Sequence, residues 1–343
     1  MHNVKKTPAT EIYDAIAEKK REEKKKIYLE LSDKIFSKRE KNELDDELLE
    51  LTGEVLKKNP DIYTFWNIRR QVVVLKLSQK RESEPDSSGE KPDESLIKLF
   101  NDELDLTKDA LFKNPKSYGA WHHRFWICKN HPKPDYKKEL ELCEKALSID
   151  GRNFHTWDHR RSIAKLANLS DEDELKFSDT MIERNPSNYS AWHYRGVLLP
   201  RINPDTTGVG NQKMLISEEC LQDEFEKTEK VCAMNSEDQT AWTYCRWLCE
   251  VTCPNGIPCV RDGPRKALER LVEVCEELMK IEDDNPWEII ALARAKLFLN
   301  GSNEETLQSL KELYEKVKKL DPQRKAMYDE LLSKFPAKSQ KIL

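Results

Sequence analysis

Apolar positions along this chain recur at helical spacing. In KKELELCEKALSI (137–149), Leu140, Cys143 and Leu147 fall at i, i+3 and i+7, one face of a helix. LIKLFNDELDLTKDALF (96–112) and LERLVEVCEELMKI (268–281) show the same kind of period. Several such stretches stop at an Asn-Pro pair, as at 59–60, 114–115 and 185–186. A residue before proline is pushed out of the α region, and asparagine tolerates a helix-end conformation, so the pair ends the helix. A second helical stretch starts within a residue or two. No glycine-rich or alternating β-branched stretch competes, so the pattern predicts helix, tight turn, helix, used again and again.

The turns head an internal repeat. NPDIYTFWNIRR (59–70), NPKSYGAWHHRF (114–125), DGRNFHTWDHRR (150–161), NPSNYSAWHYRG (185–196) and NSEDQTAWTYCR (235–246) share one layout. Asn or Asp sits seven residues before a tryptophan: Trp66, Trp121, Trp157, Trp192 or Trp242. An aromatic precedes that tryptophan by three in the first four copies, and the fifth has Gln239. Arginine follows by three at Arg69, Arg124, Arg160 and Arg195, whereas the fifth copy has Cys245 there and Arg246 next. Weaker copies, DDNPWEIIALARAKLF (283–298) and LDPQRKAMYDELLSKF (320–335), keep Asn-Pro or Asp-Pro without the tryptophan register. Degenerate end copies fit a stack whose last unit has no further neighbour. The expected fold is all-α: an α-solenoid of about seven helical hairpins over 41–335. Residues 1–40 read as a charged helix, mobile at its start, with an apolar stripe of Ile27, Leu31 and Ile35. Segments 79–93, 200–213 and 252–264 read as loops, and 336–343 as a tail.

Composition narrows the function. Glycine is only 10 of 343 residues, against a β-rich or Gly-loop nucleotide-binding protein. The net charge of −5 gives no global reason to expect nucleic acid. No apolar run approaches membrane-spanning length and no secretory signal is visible, so the expectation is a cytoplasmic protein with no membrane span. Nine cysteines at irregular spacings then read as reduced thiols.

Tryptophan and arginine three apart share a helix face, and their plain reading is structural. The indole wedges between hairpins, and the arginine fork reaches a neighbouring carboxylate or turn carbonyl. A catalytic group is rarely needed five times. More telling are the residues between the turn and the tryptophan. They open the second helix, where unpaired N–H groups and the helix dipole favour anions. There the chain places Lys116 and Tyr118, then Asn153 and His155, then Asn188 and Tyr189. That row suits a phosphate or diphosphate, against the alternative of solvated helix ends.

With these residues in view, the sequence resembles the α subunits of protein prenyltransferases, whose signature is N-P-x-x-Y-x-x-W-x-x-R. In detail NPKSYGAWHHR, KIFSKREKNELDDELLELT and LDPQRKAMYDELLSKF look like the Rab geranylgeranyltransferase (type II) branch. The resemblance implies a crescent of hairpins wrapped around a β subunit that holds the catalytic zinc and most of the lipid pocket. This chain would be inactive without that β subunit and would bind no cofactor alone. The complex would transfer geranylgeranyl from geranylgeranyl diphosphate to C-terminal cysteines of Rab GTPases, presented by Rab escort protein docked on the α subunit. Lys116, Tyr118 and His155 map to the catalytic side of the diphosphate and lipid site. Asn153, Phe154, Asn188 and Tyr189 map to its lining. Other members often have tyrosine where Phe154 stands.

Further candidates carry weaker signals. Cys245, Cys249, Cys253 and Cys259 cluster in sequence, but without C-x-x-C spacing they read as small buried residues rather than metal ligands. His122, His123, His159 and His193 follow the tryptophans and read as interface or packing residues. His2 is a candidate self-inhibitory ligand to an open position on the partner's zinc, against the simpler reading of a solvated tail. A tetratricopeptide-type scaffold is the competing class, but it wants Leu-Gly after the tryptophan where this chain has His-His-Arg or Asp-His-Arg. The α subunit of farnesyltransferase or type I geranylgeranyltransferase is the other alternative.

Overall fold

The computed structural model describes residues 8–83, 93–210, 213–253, 258, 260–282 and 284–333. Among them the regular structure is helical, fifteen α-helices and one short 3-10 turn at Pro322–Arg324. The chain divides after Asn168 into two compact units. Asn168 ends the first unit's last helix with a φ of 53°, a left-handed conformation that asparagine tolerates better than most side chains.

Unit 1 opens with α1 (Pro8–Glu40), followed by three hairpins: α2/α3 (Asp46–Lys58, Tyr63–Ser83), α4/α5 (Glu94–Lys113, Tyr118–Asn130) and α6/α7 (Tyr136–Ile149, Phe154–Leu166). Unit 2 has four: α8/α9 (Asp171–Arg184, Tyr189–Ile202), α10/α11 (Glu218–Met234, Gln239–Thr252), α12/α13 (Asp262–Ile281, Pro286–Asn300) and α14/α15 (Glu304–Leu320, Lys325–Ser333). Neighbouring hairpins in unit 1 stack first helix on first helix (α2 on α4) and second on second (α3 on α5, α5 on α7). The predicted loops are shorter than expected. α3 takes in 79–83, α9 runs through Pro200 to Ile202, and α12 starts at Asp262. Pro200 sits in the last turn of α9, where only one helical hydrogen bond is lost. The expected tail, 336–343, lies outside the described residues.

Six hairpins turn in four residues each: 59–62, 114–117, 150–153, 185–188, 235–238 and 282–285. Connections between hairpins vary, from 301–303 to 203–217. The constancy has a cause. The first residue of the turn is extended, not left-handed, with φ of −141° at Asn59, −137° at Asn114 and −151° at Asn185. Its backbone N–H still closes the first helix, while its side-chain oxygen accepts the N–H two residues on: Asp61, Lys116, Arg152 and Ser187. An Asn or Asp before an extended-favouring proline meets both demands.

Among the described side chains of α1, those that pack lie near its C-terminal end. Ile35 is fully buried and Leu31 partly so, but Ile27 stays exposed, which shortens the expected stripe. Residues 16–30 are exposed on every side, and ion pairs such as Arg21–Glu18 and Lys25–Glu22 line that stretch.

Candidate functional site

The tryptophan organises each turn. Its indole N–H donates to the carbonyl six residues back: Trp66 to Pro60 (2.8 Å), Trp121 to Pro115 (2.9 Å), Trp157 to Gly151 (2.9 Å), Trp192 to Pro186 (2.8 Å) and Trp242 to Ser236 (2.7 Å). The next repeat supplies a second donor to the same carbonyl: Ser117 to Pro60, Asn153 to Pro115 and Asn285 to Ser236. The ring packs on the residue two after the next tryptophan, with centroids 4.9 Å apart for Trp66–His123, 5.0 Å for Trp121–His159 and 4.7 Å for Trp192–Tyr244. Gly119 sits so close to Trp66 that a Cβ there would lie 2.7 Å from the indole Cδ1.

Beneath the turns lies a set of buried glutamates that the sequence reading missed: Glu103, Glu139, Glu174 and Glu224. Each stands eighteen residues before a tryptophan and accepts from the residue two after that tryptophan: His123 (2.8 Å), His159 (2.7 Å), Tyr194 (2.9 Å) and Tyr244 (2.7 Å). The repeat arginine comes from the preceding hairpin. Arg69 forks onto Glu103, Arg124 onto Glu139 (2.6 and 2.6 Å) and Arg195 onto Glu224 (2.7 and 2.5 Å). Burial alone would raise the pKa of Glu103 and Glu139. The hydrogen bond from His123 and the charge of Arg69 reverse that and hold Glu103 at about 2, and His159 with Arg124 does the same for Glu139.

Cys128, Glu139 and His159 bring three potential metal-ligand atoms within 4.8 Å of one another. They do not fit a cation. Both Glu139 oxygens are taken by Arg124, and burial pushes the Cys128 thiol up, so it stays protonated. Tyrosine also replaces histidine at this register in unit 2, which a metal site would not allow.

Above this joint, two turns of unit 1 form an exposed cluster. Tyr118 and Phe154 open α5 and α7 and are 58% and 52% exposed, while His155 is 7% exposed. The Tyr118 ring stands edge-on to His155 at 4.2 Å, and Phe154 lies 3.9 Å from the same imidazole. Lys116 is exposed in the turn before α5, its Nζ 3.9 Å from an Asp150 oxygen in the next turn. Burial, then the nearby charge of Lys116, lowers the pKa of His155, with Asp158 opposing, so the imidazole is neutral at pH 7. The cluster thus offers one exposed cation, one phenol and one neutral imidazole at a helix start.

The predicted lining residues Asn153 and Asn188 stand at the N-caps of α7 and α9. Asn153 faces inward: its Oδ1 caps α7 through the His155 and Thr156 N–H groups, and its Nδ2 donates to Pro115. Asn188, 1% exposed, caps α9 through Ser190 and Ala191. Capping occupies the Oδ1 of both, and the Nδ2 of Asn188 is left without a partner. In unit 2, Tyr189 is exposed beside His193. Of the four histidines expected to pack, His123 and His159 are buried, and His122 and His193 are exposed. Cys245, Cys249 and Cys253 are buried, and a hydrogen bond to Cys249 together with burial pushes the Cys245 thiol up. Cys259 and His2 lie outside the described residues. The 283–298 copy is also in a different register: Asn285 caps α13, so Ile289 holds the tryptophan's place.

A stack of such hairpins, with arginine–glutamate joints inside and a lysine–tyrosine–histidine cluster at its turns, defines an α subunit of the protein prenyltransferase kind. Residues 100–131, 136–166, 171–202 and 221–251 match the protein prenyltransferase alpha subunit repeat, and the chain belongs to that family. Within it, the chain is similar to the geranylgeranyl transferase type-2 subunit alpha of Mus musculus, at 40% identity over 80% of this chain and 46% of that one. The Homo sapiens subunit of the same name is 41% identical over 72% of this chain and 41% of its own length. The chain therefore spans about half the length of these mammalian relatives. The Saccharomyces cerevisiae subunit is 28% identical, over 97% of this chain and 99% of its own. The fold is shared with a chain of the Candida albicans protein geranylgeranyltransferase-I complexed with GGPP, at TM-score 0.62, 20% identity and 88% coverage of both chains. Among the described residues no helix is long and apolar enough to cross a membrane.

Proposed function

We propose that this chain is the α subunit of a heterodimeric, cytoplasmic Rab geranylgeranyltransferase. It pairs with a β subunit, docks Rab escort protein, and supports transfer of geranylgeranyl from its diphosphate to C-terminal cysteines of Rab GTPases. The observation that carries the reading is the convergence of Lys116, Tyr118 and His155 on one exposed spot, in a chain whose relatives bear that enzyme's name.

When the diphosphate leaves, negative charge grows on its oxygens. Lys116, held at the lip of a helix start, stabilises that charge more than the ground state and so lowers the barrier. The Tyr118 hydroxyl and the neutral His155 imidazole add donors without a second full charge. Phe154 and the Tyr118 ring give the spot an apolar wall for a prenyl chain. Zinc on the β subunit would supply a thiolate at neutral pH. Among the described residues the Cys128–Glu139–His159 group does not fit that ion, since Arg124 fills both oxygens of Glu139.

Co-expression with the cognate β subunit is expected to yield a 1:1 zinc-containing complex that prenylates a Rab in the presence of escort protein. Transfer to a short C-a-a-X peptide instead would move the chain to the farnesyl and type I enzymes. In that complex Lys116→Ala lowers the single-turnover rate by about 10–1000-fold while assembly is kept. An unchanged rate removes Lys116 from the mechanism.

A further inference from the structure

Arg69 and Arg70 are consecutive on α3, and their circumstances are opposite. Arg69 is buried and forked onto Glu103. Arg70 is half-buried, and no carboxylate of the described residues lies within ion-pair distance of it. Its Nη2 is 3.1 Å from Nδ1 of His122, its guanidinium carbon lies 5.3 Å from the centre of the Trp126 ring, and its buried Nε has no partner. A half-buried cation without a counter-charge is costly.

The other repeats show what is missing. Arginine recurs four residues after the tryptophan at Arg161 and Arg246, and there it faces Asp158 or Glu250 on its own helix. In the first repeat Asn67 and Val74 occupy the places of those two acids. The partner of Arg70 is absent from its own hairpin. A guanidinium has no lone pair to accept with, so His122 Nδ1 is the acceptor and the ring proton sits on Nε2, an additional donor. Trp126 under the guanidinium fixes the plane of the fork. Tyr118, His122 and Trp126 fall at i, i+4 and i+8, so this pair lies about 6 Å along α5 from the Tyr118 cluster, on the same stripe.

We infer that Arg70 and His122 form a receptor for one carboxylate side chain of the β subunit that closes over this face of unit 1; this rests on the subunit reading given above. The charge decides the class of anion. The site holds a single positive charge, since partial burial and then the charge of Arg70 keep His122 neutral, and a carboxylate balances it. A phosphate dianion would leave an excess negative charge in a half-buried place. The docked acid accepts from the open edge of the fork, a bidentate geometry that lysine cannot copy, while His122 Nδ1 holds the fork from its other side.

The test uses the intact heterodimer. Arg70→Gln is expected to weaken β-subunit affinity by roughly 30-fold or more, and Arg70→Lys to recover only part of it. The melting temperature of the isolated Arg70→Gln chain stays close to the wild-type value, because removing a half-buried charge that has no ion pair offsets the lost contacts with His122 and Trp126. Phenylglyoxal followed by mass spectrometry labels Arg70 in the isolated chain and spares it in the heterodimer. A heterodimer whose affinity is indifferent to Arg70→Gln, or in which Arg70 still reacts, overturns this inference alone. Failure of the wild-type chain to pair with the β subunit overturns the subunit assignment itself, and this inference with it.

Discussion

In unit 1 the residue two after the tryptophan is histidine, at His123 and His159; in unit 2 it is tyrosine, at Tyr194 and Tyr244. All four donate to a glutamate twenty residues earlier, on the first helix of the same hairpin. The position therefore selects a ring with a hydrogen-bond donor at its tip, and the chemistry of that donor is secondary. The difference shows in acid and base. Burial lowers the pKa of His123 and His159 below the ordinary 6.5, so the unfolded chain takes up protons first and unit 1 loses stability as pH falls through 6.5. Glu103 and Glu139, held near 2 against an ordinary 4.5, add a second loss between those values. Burial raises the pKa of Tyr244 above 10.0, so this donor takes up no proton in mild acid and its contribution is lost in strong base.

The equivalence of the two joints is broken hardest at the arginines. Arg124→Ala strands Glu139 with only a neutral imidazole and is expected to cost about 3–5 kcal/mol by denaturant titration. Arg195→Ala strands Glu224 beside Tyr244 and costs a similar amount. A loss under about 1 kcal/mol in either unit means that its joint does not depend on the ion pair. A finer test exchanges the donors. His123→Tyr with His159→Tyr leaves stability near wild type at pH 7. It flattens the fall in amide-exchange protection of α5 and α7 between pH 6.5 and 5; a fall as steep as in wild type removes the histidines as its source. The smallest contrast lies at the caps. Asn153 uses both ends of its amide, whereas the Nδ2 of Asn188 has no partner. Asn153→Ala should cost about 1 kcal/mol more than Asn188→Ala, the worth of one hydrogen bond. Equal melting shifts for the two would show that the bond to Pro115 adds nothing.

Much of this was legible in the chain. The tryptophan spacing located the turns, and Lys116, Tyr118 and His155 stood out as polar residues at helix starts. The glutamates were not, because an acid on an amphipathic helix reads as its wet side. Their signal was positional, eighteen residues ahead of each tryptophan, and needed all repeats aligned at once. Asn153 and Asn188 were ambiguous for a related reason: a capping asparagine and a ligand-binding one occupy the same place in sequence, and the direction of the amide tells which groups capping uses. Arg70 was hidden by its neighbour, since nothing in Arg-Arg tells which guanidinium has found its acid.

The fixed four-residue turns and the variable connections lie at opposite ends of each hairpin. Added chain length therefore has somewhere to go that leaves the indole–carbonyl contacts alone. A reporter domain spliced into the 203–217 connection should be carried as a passenger, with the lysine cluster undisturbed, while a single residue added to 114–117 would put Lys116 out of step with His155.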